Sequence, residues 1–122
     1  MSETPSNVHA GGCHCGAVRF EVDLDLSAPM LECNCSICSK SGTRLAFVTS
    51  DKFSLKSGEE HLKDYLFNKK HIHHQFCTTC GIRSFAHGPL PDGGTMYAVN
   101  VRCLDDVDLN AMNLRFHDGK SA

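Results

Sequence analysis

The sequence predicts a mainly β domain with only short helical turns. Short β-type runs recur along the chain, and turn signals such as Ser57-Gly58 and Pro91-Asp92-Gly93-Gly94 separate them. No window of helical length carries a sustained apolar stripe. A chain of 122 residues with 41% hydrophobic content is long enough for one modest core and too short for two. We therefore expect a single domain of packed antiparallel sheets.

The clearest strand pattern lies at Ala17 to Leu24, where apolar residues alternate with polar or small ones from Val18 onward. A strand with one solvated face is the simplest explanation. The other predicted strands are Met30 to Cys35, Leu45 to Thr49, Lys52 to Leu55, Leu62 to Phe67, Ile72 to Cys77, Arg83 to His87 and Met96 to Arg102. Helical turns are predicted only around Ser36 to Ser41 and near Gly58 to Leu62.

The domain boundaries follow from composition. Residues 1–10 are polar and lack periodicity, so we expect a flexible N-terminal segment. No linker interrupts residues 11–119, which we expect to form the folded domain, and residues 120–122 should be a short C-terminal tail.

Charge and composition argue against several classes of function. Twelve basic residues against 14 acidic ones leave a formal net charge of −2, which favours neither nucleic acid nor an anionic membrane as a partner. The start of the chain has no apolar run of signal-peptide length, and no stretch approaches the ~20 apolar residues of a membrane span. We expect a soluble cytoplasmic protein. In a reducing compartment, eight cysteines in a small domain indicate metal binding more than disulfides.

Four of the cysteines form two pairs that are each followed by glycine, Cys13-His14-Cys15-Gly16 and Cys77-Thr78-Thr79-Cys80-Gly81. Glycine permits the positive φ of a tight turn around metal-bound sulfurs. Two such turns can supply the four thiolates of a tetrahedral zinc site, whose sulfurs lie about 3.8 Å apart. A closed site of this kind is structural. The alternatives are a disulfide within either pair or buried free thiols.

The second cysteine set is the run Cys33-Asn34-Cys35-Ser36-Ile37-Cys38. Cys33 and Cys35 face the same way on an extended segment, and a helical turn from Ser36 brings Cys38 back to them. Three thiolates around an open fourth position are typical of a catalytic zinc site. The alternative is a second structural site completed by a histidine, for which His71, His73 and His74 are candidates.

His74 and Cys103 lie outside the two cysteine sets. In the predicted strand Ile72 to Cys77, His74 shares a face with the apolar residues, so we expect it to be the buried histidine. Cys103 follows an apolar strand and is either a free buried thiol or a redox nucleophile.

Four segments together form a motif set: Gly11-Gly12-Cys13-His14-Cys15-Gly16-Ala17-Val18, Cys33-Asn34-Cys35-Ser36-Ile37-Cys38, Phe76-Cys77-Thr78-Thr79-Cys80-Gly81 and Asn100-Val101-Arg102-Cys103-Leu104-Asp105. In order and spacing they resemble the glutathione-dependent formaldehyde-activating enzyme (GFA)/centromere protein V family, from about Gly11 to Gly119. The resemblance implies a zinc-bearing β-tent fold with two zinc ions per chain. The implied ligands of the structural zinc are Cys13, Cys15, Cys77 and Cys80, and those of the catalytic zinc are Cys33, Cys35 and Cys38.

The activity that the resemblance implies is a carbon–sulfur lyase reaction joining formaldehyde to the thiol of glutathione. Glutathione carries two carboxylates, so cations should lie beside the site, and Lys40 and Arg44 are the nearest in sequence. Two other functions stay open. Both zinc ions could be structural in a protein-binding module, or Cys103 could serve a redox reaction like that of the methionine sulfoxide reductase B class.

Overall fold

The computed structural model describes residues 8–66, 72–105 and 107–121. Within them the chain forms ten strands, one short α-helix and several single 3-10 turns. The strands are β1 (Val8–Gly12), β2 (Arg19–Asp23), β3 (Met30–Cys33), β4 (Leu45–Thr49), β5 (Phe53–Ser57), β6 (Leu62–Tyr65), β7 (His73–Cys77), β8 (Phe85–Pro89), β9 (Thr95–Asn100) and β10 (Leu114–His117). The helix α1 spans Ser36–Ser41. The mainly β prediction with short helical turns is confirmed.

The strands form two sheets. The smaller has the order β1-β2-β5, and the larger has the order β10-β3-β4-β9-β8-β7-β6. Neighbouring strands pair antiparallel, as predicted, except that β10 runs parallel to β3. Strand β10 therefore places the residues that follow it beside the end of β3, where the cysteine run begins.

Aromatic side chains from both sheets meet in the core. Phe20 of β2 and Phe53 of β5 come from the small sheet, and their ring centroids lie 5.4 Å apart. Phe53 stacks on Tyr97 of β9 at 4.2 Å and contacts Phe85 of β8 at 4.7 Å. Burial of such rings is the main favourable term in joining the two sheets.

The observed boundaries differ from the prediction at both ends of the chain. Strand β1 starts at Val8, inside the segment 1–10 that we expected to be flexible, and its Gly11 pairs with Phe20 of β2. Strand β10 was not expected, because its four residues are all exposed and carry no buried face. The predicted strand to Phe67 is observed as far as Tyr65, and Phe67 lies outside the described residues.

The strand expected at Arg83 to His87 begins at Phe85, and the one expected to reach Arg102 ends at Asn100. A single 3-10 turn, Val101–Cys103, follows β9, and the side chain of Asn100 accepts a hydrogen bond from the backbone N–H of Arg102 there. This side-chain bond satisfies a backbone donor that a continuing strand would have paired.

The expectation that His74 is buried on the core face of β7 is wrong. Gln75 is the register partner of Phe85, whose ring is in the core, so the face of β7 that points inward carries His73 and Gln75. His74 lies on the opposite, outer face and is half-buried. The alternation of apolar residues predicted the wrong face, because the face that points inward carries His73. The ring of His73 stacks there on that of His87, with centroids 4.7 Å apart.

Candidate metal centres and adjoining cavity

Four cysteine sulfurs from distant parts of the chain converge at one point. Cys13 and Cys15 follow β1, whereas Cys77 ends β7 and Cys80 follows three residues later. All four Sγ atoms lie within 4.8 Å of one another. The Sγ of Cys15 is 3.6 Å from that of Cys13 and 3.7 Å from that of Cys77. These separations match the ~3.8 Å edge of a tetrahedron with zinc–sulfur bonds of about 2.3 Å.

The turns around these sulfurs have the geometry that the glycines predict. Gly16 has φ 84° and Gly81 has φ 79°, and no atom lies within 4 Å of where either Cβ would be, so the backbone conformation alone selects glycine. The N–H of Val18 donates to Cys13 Sγ at 3.3 Å, and the N–H of Thr79 donates to Cys77 Sγ at 3.4 Å. The N–H of Cys80, with that of Thr79, lowers the pKa of the Cys77 thiol.

The second cluster is built from one short stretch of chain. Cys33 ends β3, Cys35 precedes the first turn of α1, and Cys38 lies within the helix. Their three Sγ atoms lie within 4.8 Å of one another, as the predicted helical turn requires. All three residues are half-buried, so solvent reaches this cluster.

Among the described residues, no further His, Cys, Asp or Glu joins the three sulfurs at that distance. Of the histidines considered as a fourth ligand, His73 Nδ1 is hydrogen-bonded to Asp64 at 2.7 Å. His74 Nδ1 is bonded to Arg83 at 2.7 Å. His71 lies outside the described residues.

The chemistry of both clusters fits a bound cation. Burial, together with the neighbouring sulfurs of Cys35 and Cys33, raises the pKa of the Cys38 thiol to about 12. Close thiolates repel one another in a partly desolvated place, and a divalent cation removes that repulsion. Both groups of sulfurs could therefore hold metal ions, and soft thiolate donors in a tetrahedral arrangement are consistent with zinc. All eight cysteines are free, so the disulfide alternative finds no support.

Residues after β10 form a wall beside the three-sulfur cluster. The side chain of Asn34, which lies between Cys33 and Cys35 in sequence, donates to Asp118 Oδ1 at 2.9 Å and accepts from the N–H of Lys120 at 2.9 Å. A Cβ on Gly119 would lie 2.7 Å from Cys33 Sγ, which is closer than real contacts allow. A larger residue at this position would displace the sulfur or the passing chain, so glycine is what allows this close approach.

A cavity of about 350 Å³ lies against α1. Its lining residues are Ser36, Ile37, Lys40, Ser41, Tyr65 and Arg83. A larger cavity of about 540 Å³ lies near β3 and β4. No cysteine lines either cavity, but four of the residues that line the smaller one belong to α1, the helix that contains Cys38. The cavity at α1 is therefore the one that bears on the cysteine chemistry.

The two cations predicted near the site have different surroundings. Lys40 lines the cavity at α1. Arg44 is not among the lining residues; its Nε donates to Glu32 at 3.1 Å and its Nη1 donates to the carbonyl of Leu109 at 2.8 Å. Sequence reasoning did not single out Arg83 or Tyr65. The one signal for Arg83 is its position three residues after Cys80, where the four-sulfur turn fixes the direction of the chain.

Cys103 has the surroundings of a structural thiol. Burial raises its pKa, whereas a redox nucleophile needs a lowered one. Its Sγ donates to the carbonyl of Arg83 at 3.8 Å, and the same carbonyl accepts from Asn100 Nδ2 at 3.0 Å. Cys103 and Asn100 thus fix the backbone that presents Arg83 to the cavity.

Comparisons with known proteins agree with this architecture. A solved structure of a Rhodobacter sphaeroides protein is 32% identical, covers 88% of this chain and 99% of its own, and superposes with a TM-score of 0.76. Within the described residues, no helix is long and apolar enough to cross a membrane. The family model for glutathione-dependent formaldehyde-activating enzyme matches residues 8–117, whereas the resemblance to centromere protein V stays a prediction. The chain therefore belongs to the glutathione-dependent formaldehyde-activating enzyme (GFA) family.

Proposed function

We propose that the protein is a zinc-dependent carbon–sulfur lyase of the GFA type, with two zinc ions per chain. Cys13, Cys15, Cys77 and Cys80 would hold a structural ion, and Cys33, Cys35 and Cys38 would hold a catalytic one. The observation on which this proposal depends is the contrast in ligand number: three half-buried sulfurs with no fourth protein ligand among the described residues, next to a cavity.

The proposed reaction joins a small thiol, such as glutathione, to formaldehyde or another small carbonyl. The thiol sulfur forms a bond to the carbonyl carbon, the C=O π bond breaks, and the thiol proton is transferred to the carbonyl oxygen. The product is a hydroxyalkyl thioether, S-hydroxymethylglutathione in the case of formaldehyde. Atoms balance without an oxidant or reductant, and the lyase direction is the reverse.

A zinc ion at the three-sulfur cluster, here also called the triplet, would supply Lewis acidity. It would also lower the pKa of a thiol that binds at its open fourth position. The chain's own residues hold and orient the reactants. Cys33, Cys35 and Cys38 set the position of the reacting centre at the end of β3 and the start of α1. Lys40 on α1 offers an ammonium group to an anionic thiol. The contacts of Arg44 with Glu32 and Leu109 favour Lys40 over Arg44 for that role.

The test follows the conversion of ¹³C-formaldehyde and glutathione to the hydroxymethyl adduct by NMR exchange spectroscopy. We expect the zinc-loaded protein to accelerate exchange above the uncatalysed rate. Cys35→Ser should reduce that acceleration by at least about 100-fold, because even changes to the partners of metal ligands typically cost about 10- to 100-fold. Lys52→Gln is the control and should keep the wild-type rate, because Lys52 is exposed and belongs neither to the cavity at α1 nor to a cysteine cluster. Equal rates for Cys35→Ser and the wild type would exclude the proposal.

A spectroscopic measurement separates this function from a protein-binding module in which both metals are structural. In the cobalt-substituted protein, an exchangeable fourth position predicts that added thiol changes the ligand-field bands of one of two cobalt ions. If added thiol changes the ligand-field bands of neither cobalt ion, the protein-binding module is favoured.

A further inference from the structure

Arg83 is an arginine whose positive charge has no carboxylate partner in the described parts of the chain. The residue is half-buried, and its Nε is buried without a hydrogen-bond partner among those residues. Removing a guanidinium from water is costly unless an acceptor compensates it. Because Arg83 lines the cavity at α1, a ligand bound there is in position to supply an acceptor to the guanidinium.

The hydrogen bond to His74 orients Arg83 but leaves its charge in place. A guanidinium can only donate, so His74 Nδ1, at 2.7 Å from Nη2, accepts with its lone pair. The proton of the neutral imidazole is then on Nε2. Burial, followed by the charge of Arg83, lowers the pKa of His74, which agrees with a neutral ring. His74 therefore directs the guanidinium without neutralising it.

The cavity at α1 contains more positive than negative charge. Arg83 and Lys40 both line it, and together they contribute two positive charges. Arg83 interacts electrostatically with Cys38 and Cys35, so these thiolates offset part of the positive charge. With a divalent zinc bound, however, the three thiolates would contribute a net charge of only −1. One positive charge then has no counterpart in the site. The hydroxyls of Ser36 and Ser41, on the same wall, are further donors for an oxyanion.

We propose that Arg83 and Lys40 form an anion subsite that binds a carboxylate of the thiol substrate and makes the protein selective for acidic thiols. The inference rests on the proposed function, because the subsite acts on a thiol bound at the cysteine triplet. Arg83 is a specificity-determining residue here: its planar guanidinium binds a carboxylate through two parallel hydrogen bonds, which lysine cannot reproduce.

The experiment compares two thiols that differ only in the charged group. Binding of 3-mercaptopropionate and of the neutral 3-mercapto-1-propanol to the zinc-loaded protein is measured by isothermal titration calorimetry. We expect the acid to bind about 10- to 100-fold more tightly than the alcohol, the usual range for a charge-assisted hydrogen bond. In Arg83→Gln this preference should fall to within about threefold, while affinity for the alcohol stays nearly unchanged.

Control variants separate the subsite from general electrostatics. Lys52→Gln removes an exposed cation that does not line this cavity, and the preference should stay at its wild-type value. Lys40→Gln should reduce the preference by a smaller factor than Arg83→Gln, because Lys40 is exposed. If Arg83→Gln does not retain two zinc ions, the test uses Arg83→Lys and Lys40→Gln instead. Both variants should reduce the preference for the acidic thiol over the alcohol if the subsite exists.

Three results would overturn the inference. Equal binding of the acid and the alcohol by the wild type would remove the subsite and leave the proposed function standing. If Arg83→Gln weakens the binding of both thiols equally, Arg83 stabilises the cysteine thiolates and does not bind the substrate carboxylate. No binding of either thiol by the wild type would exclude both the subsite and the open thiol position of the proposed function.

Discussion

The two cysteine clusters use the same side chain but differ in the sequence separation of their members and in their burial. The four-sulfur cluster joins turns 62 residues apart in sequence, and two of its cysteines are buried. The three-sulfur cluster comes from six consecutive residues, and all of its cysteines are half-buried. Closing a long loop restricts the unfolded chain strongly, whereas closing a six-residue stretch restricts it little. The first arrangement therefore suits stability, and the second suits access for a ligand.

The largest expected effect comes from breaking the four-sulfur cluster. Cys13→Ser should lower the free energy of unfolding by more than about 3 kcal/mol, because structural zinc sites contribute much of the folding free energy of small domains. Cys35→Ser should lower it by less than about 1 kcal/mol, since its loop is short. Urea unfolding with zinc analysis of both variants checks this difference. Equal losses would remove the distinction between a structural and an accessible cluster.

Removal of metal should also separate the clusters. In the zinc-loaded protein, a chelator such as EDTA should extract the ion at Cys33, Cys35 and Cys38 well before the other, since that cluster is half-buried and has one thiolate fewer. We expect two kinetic phases of equal amplitude when zinc release is followed with a chromogenic chelator. The circular dichroism signal should persist through the first phase and decline in the second. A single phase would mean that access does not distinguish the sites.

Gly119→Ala should affect one cluster and spare the other. The added Cβ would lie 2.7 Å from Cys33 Sγ, so either the sulfur or the wall must move. Second-sphere changes of this kind typically lower metal affinity 10- to 100-fold, and we expect about 10-fold at the triplet. Competitive zinc titration measures it. Gly94→Ala is the matched control, because its Cβ would meet only the flexible side chains of Asp92 and Leu90; unchanged affinity in Gly119→Ala would contradict the proposed contact.

The smallest expected effect concerns an ordinary ion pair near the four-sulfur cluster. Arg19, one residue after Val18, forms two hydrogen bonds with the Asp105 carboxylate, and these bonds lower the pKa of Asp105. Because both side chains are exposed, Asp105→Asn should cost only about 0.5 kcal/mol.

The pH dependence of that pair has a definite sign. The folded pKa of Asp105 is below the unfolded value of about 3.9, so the contribution is complete above roughly pH 5 and is lost as pH falls through the folded pKa. Urea unfolding of the wild type and Asp105→Asn at pH 7 and at pH 5 should give the same difference, and 1 M salt should reduce it. A difference as large as that of Cys13→Ser would contradict the expectation that the four-sulfur cluster contributes far more stability than this ion pair.

The cysteine clusters could be predicted from the sequence because local spacing determines them. A glycine after each outer pair specifies a positive φ, and both turns have it. The three-sulfur cluster needs only a strand end followed by one helical turn, and the run from Cys33 to Cys38 encodes both. A short segment thus encodes the three-sulfur cluster and each turn of the four-sulfur cluster, whereas the fold brings those two turns together.

The cavity and the sheet edges could not be predicted, because they depend on contacts between distant residues. Arg83 reaches the cavity only because the four-sulfur turn, Asn100 and Cys103 fix its backbone against α1. Strand β10 has no buried residue and gains its place by pairing with β3. The face of β7 was assigned incorrectly because hydrophobic alternation cannot anticipate that two half-buried histidines, His73 and His87, stack on each other.

The parallel pairing of β10 with β3 imposes an order on biosynthesis. The ribosome makes the triplet early and the wall late, since the contact between Asn34 and Asp118 spans 84 residues. Until β10 is released, β3 is an edge strand and Cys33 has no chain packed against its sulfur on the side of Gly119. Metal taken up at these three cysteines before β10 forms would approach Cys33 from a side that the finished protein closes. Uptake during translation and renewed uptake after loss of the metal would then follow different routes.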